Sequence, residues 1–168
     1  VAKLEPVFVG GVTVTNATFI NTTLAEVTIN GGNVPVTLAS TVSISSNAGR
    51  SVDVSNRTGG SVTFNGPITD TGQGIRLSTN TGSTVTFAGG LSLSTGPNDA
   101  FTATGGGTVV ATQNNTSIVN TLATTTGTTL TVTDTTIGAA GLTFRSISAN
   151  GAASGIVLDA TGASGGLT

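Results

Sequence analysis

Residues 53–66 read DVSNRTGGSVTFNG, and residues 76–89, which begin 23 positions later, read RLSTNTGSTVTFAG. Seven of the fourteen aligned positions are identical, and they include Val62 with Val85 and Phe64 with Phe87. Alternation of apolar and hydroxyl side chains is typical of a short β-strand, whereas Gly and Asn between strands favour turns. A strand and its turn therefore return as a unit, which indicates a repeat architecture.

A second repeat lies later in the chain. Residues 130–143 read LTVTDTTIGAAGLT and align, with a spacing of 25, on residues 155–168, which read GIVLDATGASGGLT. The element of a turn followed by valine also returns at Val109, 24 positions after Val85. One coil of a parallel β-helix holds two or three short strands and cannot bury its apolar side chains alone. The sequence therefore predicts an all-β, right-handed parallel β-helix (a β-solenoid) of about seven coils of 23–25 residues, with residues 1–168 forming a single domain. A β-sandwich is the alternative fold.

The composition removes most catalytic chemistry. Five residues are Lys or Arg and seven are Asp or Glu, while His, Cys, Met, Trp and Tyr are absent. The chain thus has no imidazole base, no thiolate nucleophile and none of the usual zinc or haem ligands. We expect no enzyme, no cofactor, and no catalytic, cofactor-binding or metal-binding residue. Few dispersed cations without base-stacking Tyr or Trp disfavour nucleic-acid binding, and the apolar runs are too short to insert into a membrane.

Three parts of the sequence are similar to a known class of repeats: residues 71–81 (TGQGIRLSTNT), residues 90–96 (GLSLSTG) and residues 122–168. They resemble the β-strand repeats of large bacterial exported proteins, which are right-handed parallel β-helices of the adhesin or autotransporter-passenger kind. The resemblance covers residues 51–168. It implies an extracellular or bacterial cell-surface location and a scaffold role, and it brings no catalytic residue.

Polysaccharide lyases and hydrolases share this architecture, and they need clustered carboxylates. Five aspartates here, at positions 53, 70, 99, 134 and 159, are dispersed along the sequence. The alignment of the second repeat places Asp134 opposite Asp159 on the adjacent coil, about 4.8 Å away, where the pair either binds a cation or is solvated in a turn. The alignment of the first repeat places Asp53 opposite Arg76 as an ion pair worth at most about 1 kcal/mol. Arg145 is assigned no role.

Hydroxyl side chains offer a binding alternative. Thr-x-Thr occurs at positions 13/15, 84/86 and 131/133, and stacked outward pairs form a lattice of hydroxyl and methyl groups of the kind that binds ice in some solenoids. Since Thr also favours outward strand positions whatever the function, a binding face requires outward Thr to align on at least four successive coils.

The ends of the stack indicate a partner. Neither end carries an evident cap, and the stretch from Gly166 to Thr168 lies within a recognisable coil. Unpaired strand edges bind further strands, so we expect further coils of the same polypeptide or another copy docked end to end, which grows a filament. Surface glycans are a further candidate partner.

The predicted function is a non-catalytic structural rod of a bacterial cell-surface or extracellular protein, as an adhesin or fibre scaffold. A polysaccharide-active β-helix is one alternative, and it requires three or more of the seven carboxylates in one groove. A flat face that binds glycan or ice is the other.

Overall fold

The computed structural model describes residues 10–114 and 117–168, and every regular element in these residues is a β-strand. β-branched and hydroxyl residues fill the strands, and Gly, Asn and Pro lie between them, which favours strands over helices. The strands of the described residues are, in chain order, β1 (Val12–Val14), β2 (Thr18–Ile20), β3 (Ala25–Asn30), β4 (Val36–Leu38), β5 (Ser43–Ser46), β6 (Arg50–Ser55), β7 (Ser61–Phe64), β8 (Ile68–Asp70), β9 (Ile75–Ser78), β10 (Thr84–Phe87), β11 (Leu91–Gly96), β12 (Phe101–Thr104), β13 (Thr108–Ala111), β14 (Thr121–Thr124), β15 (Leu130–Thr133), β16 (Thr136–Leu142), β17 (Ser146–Ala149) and β18 (Ile156–Asp159).

The strands form three parallel sheets of six strands each. Every third strand joins the same sheet: β1, β4, β7, β10, β13 and β16 form sheet A, β2, β5, β8, β11, β14 and β17 form sheet B, and β3, β6, β9, β12, β15 and β18 form sheet C. Each turn of the chain therefore adds one strand to each sheet. The molecule is a parallel β-solenoid, as predicted, and the β-sandwich alternative is wrong.

The described residues form about six coils rather than seven, and several of these coils are longer than predicted. Val62 pairs with Val85, 23 positions later, but Val36 pairs with Val62, 26 positions later, and Thr108 pairs with Thr136, 28 positions later. The longest coil gains its length between the end of β13 at Ala111 and the start of β14 at Thr121, whereas residues 88–90 make the equivalent connection one coil earlier. The predicted range of coil lengths is therefore too narrow.

Inward-facing side chains stack in columns and form the core. Val62 and Val85, which pair in sheet A, are 0% and 1% exposed. Phe64 lies on Phe87 with 5.0 Å between the ring centroids and 7° between the ring planes. Phe101 of sheet C meets Phe87 edge to face, at 5.5 Å and 75°. Each such burial contributes about 1.5–3 kcal/mol, so the predicted stacking of equivalent residues is confirmed and supplies the main stabilisation.

One residue at the end of each strand of sheet C adopts the left-handed conformation. Its backbone N–H continues the ladder to the next coil, for example from Asn56 to the Ser78 carbonyl at 3.0 Å and from Thr79 to the Thr104 carbonyl at 2.9 Å. A positive φ there turns the chain out of the sheet at the same point in every coil. The residues of this corner column, with their φ angles, are Gly31 (74°), Asn56 (56°), Thr79 (55°), Gly105 (75°), Asp134 (48°) and Ala160 (49°).

The corner column corrects the predicted pairing of Asp134 with Asp159. Asp159 pairs with Thr133 in sheet C, and Asp134 occupies the corner position that Ala160 fills on the next coil. In sheet A, by contrast, Leu142 pairs with Leu167, as the alignment of the second repeat predicts. That alignment is therefore right for sheet A and wrong by one position for sheet C.

Candidate functional site

The outer face of sheet A carries two columns of hydroxyl side chains, which we call the hydroxyl face. The alternation that turns Val62 and Val85 inward turns their strand neighbours outward. The first column aligns, on four successive coils, Thr13, Thr37, Thr63 and Thr86. The second column aligns Ser61, Thr84, Thr108 and Thr136. The alignment that a flat binding face requires is therefore present.

The hydroxyl face has a regular spacing. Neighbouring side chains are about 4.8 Å apart between coils and about 6.6 Å apart along one strand. A Thr hydroxyl donates one hydrogen bond and accepts two, so the two columns offer an ordered set of partners to water or to sugar hydroxyls. The first column ends at Val110, which pairs with Thr86 and is 8% exposed. Beside Val110 the pairing of β13 with β16 is irregular, because residues 138–141 lie between the paired positions Ile137 and Leu142.

The Thr-x-Thr motif marks only part of this face. Thr84 and Thr86 belong to it, and so does Thr13, but the pair Thr131 and Thr133 lies in sheet C. The signal is instead a single outward Thr between two inward apolar residues, repeated at the coil period. That pattern is Val-Thr-Val at 12–14, Val-Thr-Leu at 36–38, Val-Thr-Phe at 62–64 and Val-Thr-Phe at 85–87.

The outer face of sheet C carries the ion pair that the sequence predicts. Asp53 pairs with Arg76 in register on the adjacent coil, and its carboxylate accepts hydrogen bonds from the Nε and Nη2 groups of Arg76, the first at 3.3 Å. The Arg76 side chain is 51% exposed and that of Asp53 is 13% exposed. The hydrogen bond from Arg76 to Asp53 and the charge of Asp53 raise the pKa of Arg76. An exposed pair of this kind contributes at most about 1 kcal/mol.

A groove lies beside this ion pair at the corner between sheets B and C. It has a volume of about 360 Å³, and we call it the arginine groove because Arg50 and Arg76 both line it. Arg50 Nη1 donates to the Gln73 carbonyl at 2.9 Å. Burial and, next, the charge of Arg76 lower the pKa of Arg50. Nothing in the sequence singled out Arg50, because its position depends on the curvature of the corner.

The remaining described carboxylates are dispersed. Asp70 is 1% exposed and accepts hydrogen bonds from the backbone N–H groups of Ser51 at 2.8 Å and Gly72 at 2.6 Å, so it closes the turn between sheets B and C. Asp99 accepts from the Thr128 N–H at 2.7 Å. Within residues 10–114 and 117–168, no group of three acidic side chains is placed to hold a metal ion.

Two further arginines differ sharply in environment. Arg145 has an exposed side chain. Arg57 is 2% exposed, and its guanidinium donates to the carbonyls of Gly31 at 2.7 Å and Gly59 at 3.2 Å and also to that of Val34. Burial lowers its pKa. Arg57 therefore ties together the corners of neighbouring coils, a structural role that sequence analysis missed.

Comparisons with known proteins add no relative: no protein family, no curated protein and no solved structure matches this chain. The described residues contain no helix long and apolar enough to span a membrane. The geometry of the hydroxyl face, the arginine groove and the two ends of the stack therefore carries the functional argument.

Proposed function

We propose that the chain is one segment of a non-catalytic structural rod on a bacterial cell surface or in an extracellular fibre, with an adhesin or fibre-scaffold role. The surface location rests on the resemblance of residues 51–168 to exported β-strand repeats. The solenoid fold supports the rod function. Continuous ladders of backbone hydrogen bonds and stacked apolar columns make a stiff body, and each coil lengthens it by one strand spacing.

The exposure of the inward columns at the first and last described coils supports the proposal. In the middle coils these side chains are buried, as for Val85 at 1%. At the last coil, Ile156 and Leu158 are 46% and 42% exposed, and at the first described coil Val12 is 40% exposed. Inward apolar side chains that are uncovered on one side gain stabilisation when another coil covers them. The six described coils rise only about 29 Å, so a long rod needs further coils.

Further coils belong either to the same polypeptide or to a second copy docked end to end. Both present the same chemistry to the exposed columns, namely a parallel strand edge with apolar side chains in register. Docking of copies is heterologous and does not close on itself, so it produces filaments.

Electron microscopy with sedimentation velocity at rising protein concentration tests the proposal. We expect self-association into rods or filaments, and we expect Leu158→Lys to weaken it because the substitution places a charge on the exposed end. The matched control is Ser94→Lys, which changes an exposed residue of β11 in a middle coil and leaves association unchanged. A wild-type chain that stays monomeric at every concentration, or equal effects of both substitutions, would contradict the proposal.

The hydroxyl face supports a second candidate function, the binding of glycan or ice. The supporting observation is the alignment of Thr13, Thr37, Thr63 and Thr86 on successive coils. Thr63→Leu with Thr86→Leu removes two adjacent hydroxyls from the lattice, so we expect the double variant to lose binding. Inhibition of ice growth and retention on insoluble polysaccharide, each measured for both proteins, test this function. No activity of the wild-type chain in either assay counts against it.

A further inference from the structure

The charges of the arginine groove do not balance. Two guanidinium groups, of Arg50 and Arg76, face the groove with a single carboxylate, that of Asp53. Asp53 is bound to Arg76 through both carboxylate oxygens. Within the described parts of the chain, Arg50 forms no ion pair, and its side chain makes one hydrogen bond, to the Gln73 carbonyl. Among the side chains that line the groove, two guanidinium groups therefore face one carboxylate, and Arg50 has further N–H donors.

The environment of Arg50 increases the effect of this charge. The side chain is half-buried, so it is less solvated than a surface arginine. Its pKa is lowered first by burial and then by Arg76, and the attraction of Asp53, Asp70 and Asp99 only partly offsets this. An anion bound in the groove would restore favourable electrostatics for Arg50 without disturbing the pair of Asp53 and Arg76.

The rest of the lining is neutral and polar, with one apolar contact. Thr23 and Thr28 offer hydroxyl groups and Gln73 offers an amide, and all three residues are exposed. Leu24, at the rim, is 83% exposed. The volume of about 360 Å³ is at the lower end of small-molecule pockets, which span about 300–1,000 Å³. It suits one small unit that carries several hydroxyl groups.

We propose that the arginine groove binds the carboxylate of an acidic sugar, a uronic acid unit of a polysaccharide, with Arg50 as the principal partner. The planar fork of an arginine matches the two oxygens of a carboxylate. The one lining guanidinium without a carboxylate partner, that of Arg50, fits a monocarboxylate, whereas a phosphate group carries a charge of about −1.5 to −2. The hydroxyl groups of Thr23 and Thr28 complement those of the sugar ring. This inference does not depend on the rod function, since the groove opens on the outer face of the stack and Ile156 and Leu158 of the last described coil take no part in it.

Titration of the uniformly ¹⁵N-labelled full chain with sodium galacturonate, followed by amide chemical shifts, tests the proposal. Galactose serves as the neutral sugar and sodium acetate as the carboxylate alone. We expect galacturonate to shift the amides around Arg50, Asp53 and Gln73, and we expect neither control compound to shift them at the same concentration.

Three variants assign the binding to the groove. Arg50→Gln should weaken galacturonate binding about tenfold or more, because it removes the charged hydrogen-bond donor that faces the carboxylate. Arg145→Gln makes the same change of charge at an exposed site elsewhere and should bind as the wild type does. Asp53→Asn should bind several-fold more tightly, because it frees Arg76 and removes the competing carboxylate.

If Arg50→Gln does not fold, Asp53→Asn still tests the groove, because its binding is expected to be tighter than that of the wild type. Absence of binding by the wild-type chain would overturn the proposal, as would wild-type affinity of folded Arg50→Gln or weaker binding by Asp53→Asn. Equal binding of galactose would overturn the role of the charge, and equal binding of acetate would overturn the assignment of a sugar. None of these outcomes bears on self-association, so this proposal and the rod proposal fail separately.

Discussion

At the scale of the residue, position within the coil decides what a side chain does. Asp53 lies on an outward strand position and pairs with Arg76, which the alignment of the first repeat predicted correctly. Asp134 lies one residue beyond the end of β15, in the corner column. The property that matters at this position is its φ of 48°, not its carboxylate. The alignment paired Asp134 with Asp159 because both are aspartates. The true equivalent of Asp134 is Ala160, since the corner position accepts any residue that tolerates a positive φ.

Thr79 is the residue least suited to its position. It is β-branched and has a φ of 55°, a conformation that costs an ordinary residue about 1–2 kcal/mol. Asn tolerates it better and already occupies the equivalent corner as Asn56. We expect Thr79→Asn to raise the free energy of unfolding by about 0.5–1 kcal/mol, measured by urea denaturation. Thr81→Asn, in the same connection, is the control. A loss of stability in Thr79→Asn, or an equal gain in the control, would show that this corner is not strained.

At the scale of the element, the corners limit which residues each coil accepts. Gly66 and Gly89 match in the first repeat and lie between sheets A and B, where the backbones of successive coils approach closely. A Cβ atom built on Gly89 would overlap the carbonyl oxygen of Gly66, and one built on Gly66 would overlap that of Val42. Both glycines are therefore required by the approach of the neighbouring backbone.

This close approach gives a direct prediction for the corner. We expect Gly89→Ala to lower the free energy of unfolding by about 1–3 kcal/mol, because the strand must shift to relieve the overlap. Gly166→Ala is the matched control, since a Cβ atom there meets nothing within 4 Å, and it should change stability little. Urea denaturation of both variants provides the measurement. Equal stabilities of the two variants would mean that the coils lie further apart at this corner.

The register of the strands was predictable from the sequence where identical residues recur on adjacent coils. Where they do not recur, the coil length and the register were not predictable. The repeat from 53–66 to 76–89 fixes the register because both inward and outward residues match. Residues 112–120, which lengthen one coil, contain no recurring apolar pattern that would reveal their length. The hydroxyl face was predicted only in part, because Thr13, Thr84 and Thr86 lie in Thr-x-Thr motifs whereas Thr37 and Thr63 do not. The arginine groove was missed because it joins residues from three coils around a corner, which a linear pattern does not encode.

At the scale of the whole molecule, one arrangement explains the core, the faces and the ends. Parallel stacking of equivalent residues buries the inward columns, aligns the outward Thr residues and leaves Ile156 and Leu158 exposed at the last coil. The proposed rod and the proposed glycan contacts use different surfaces of this stack. The buried core, the proposed rod and the proposed glycan contacts all require that residues one coil apart be immediate neighbours.

Cross-linking of paired cysteines measures this neighbourhood most directly, because the natural chain has no cysteine. Thr63 and Thr86 pair on adjacent strands of sheet A, and strands about 4.8 Å apart lie within the Cα separation of about 4.4–6.8 Å that a disulfide needs. We expect the double variant Thr63→Cys, Thr86→Cys to form an intramolecular disulfide under mild oxidation, with loss of both free thiols. The pair Thr63→Cys, Thr102→Cys, on different sheets, should keep its thiols. Free thiols in the first variant while it remains folded, or equal cross-linking of the second, would contradict the stacked solenoid.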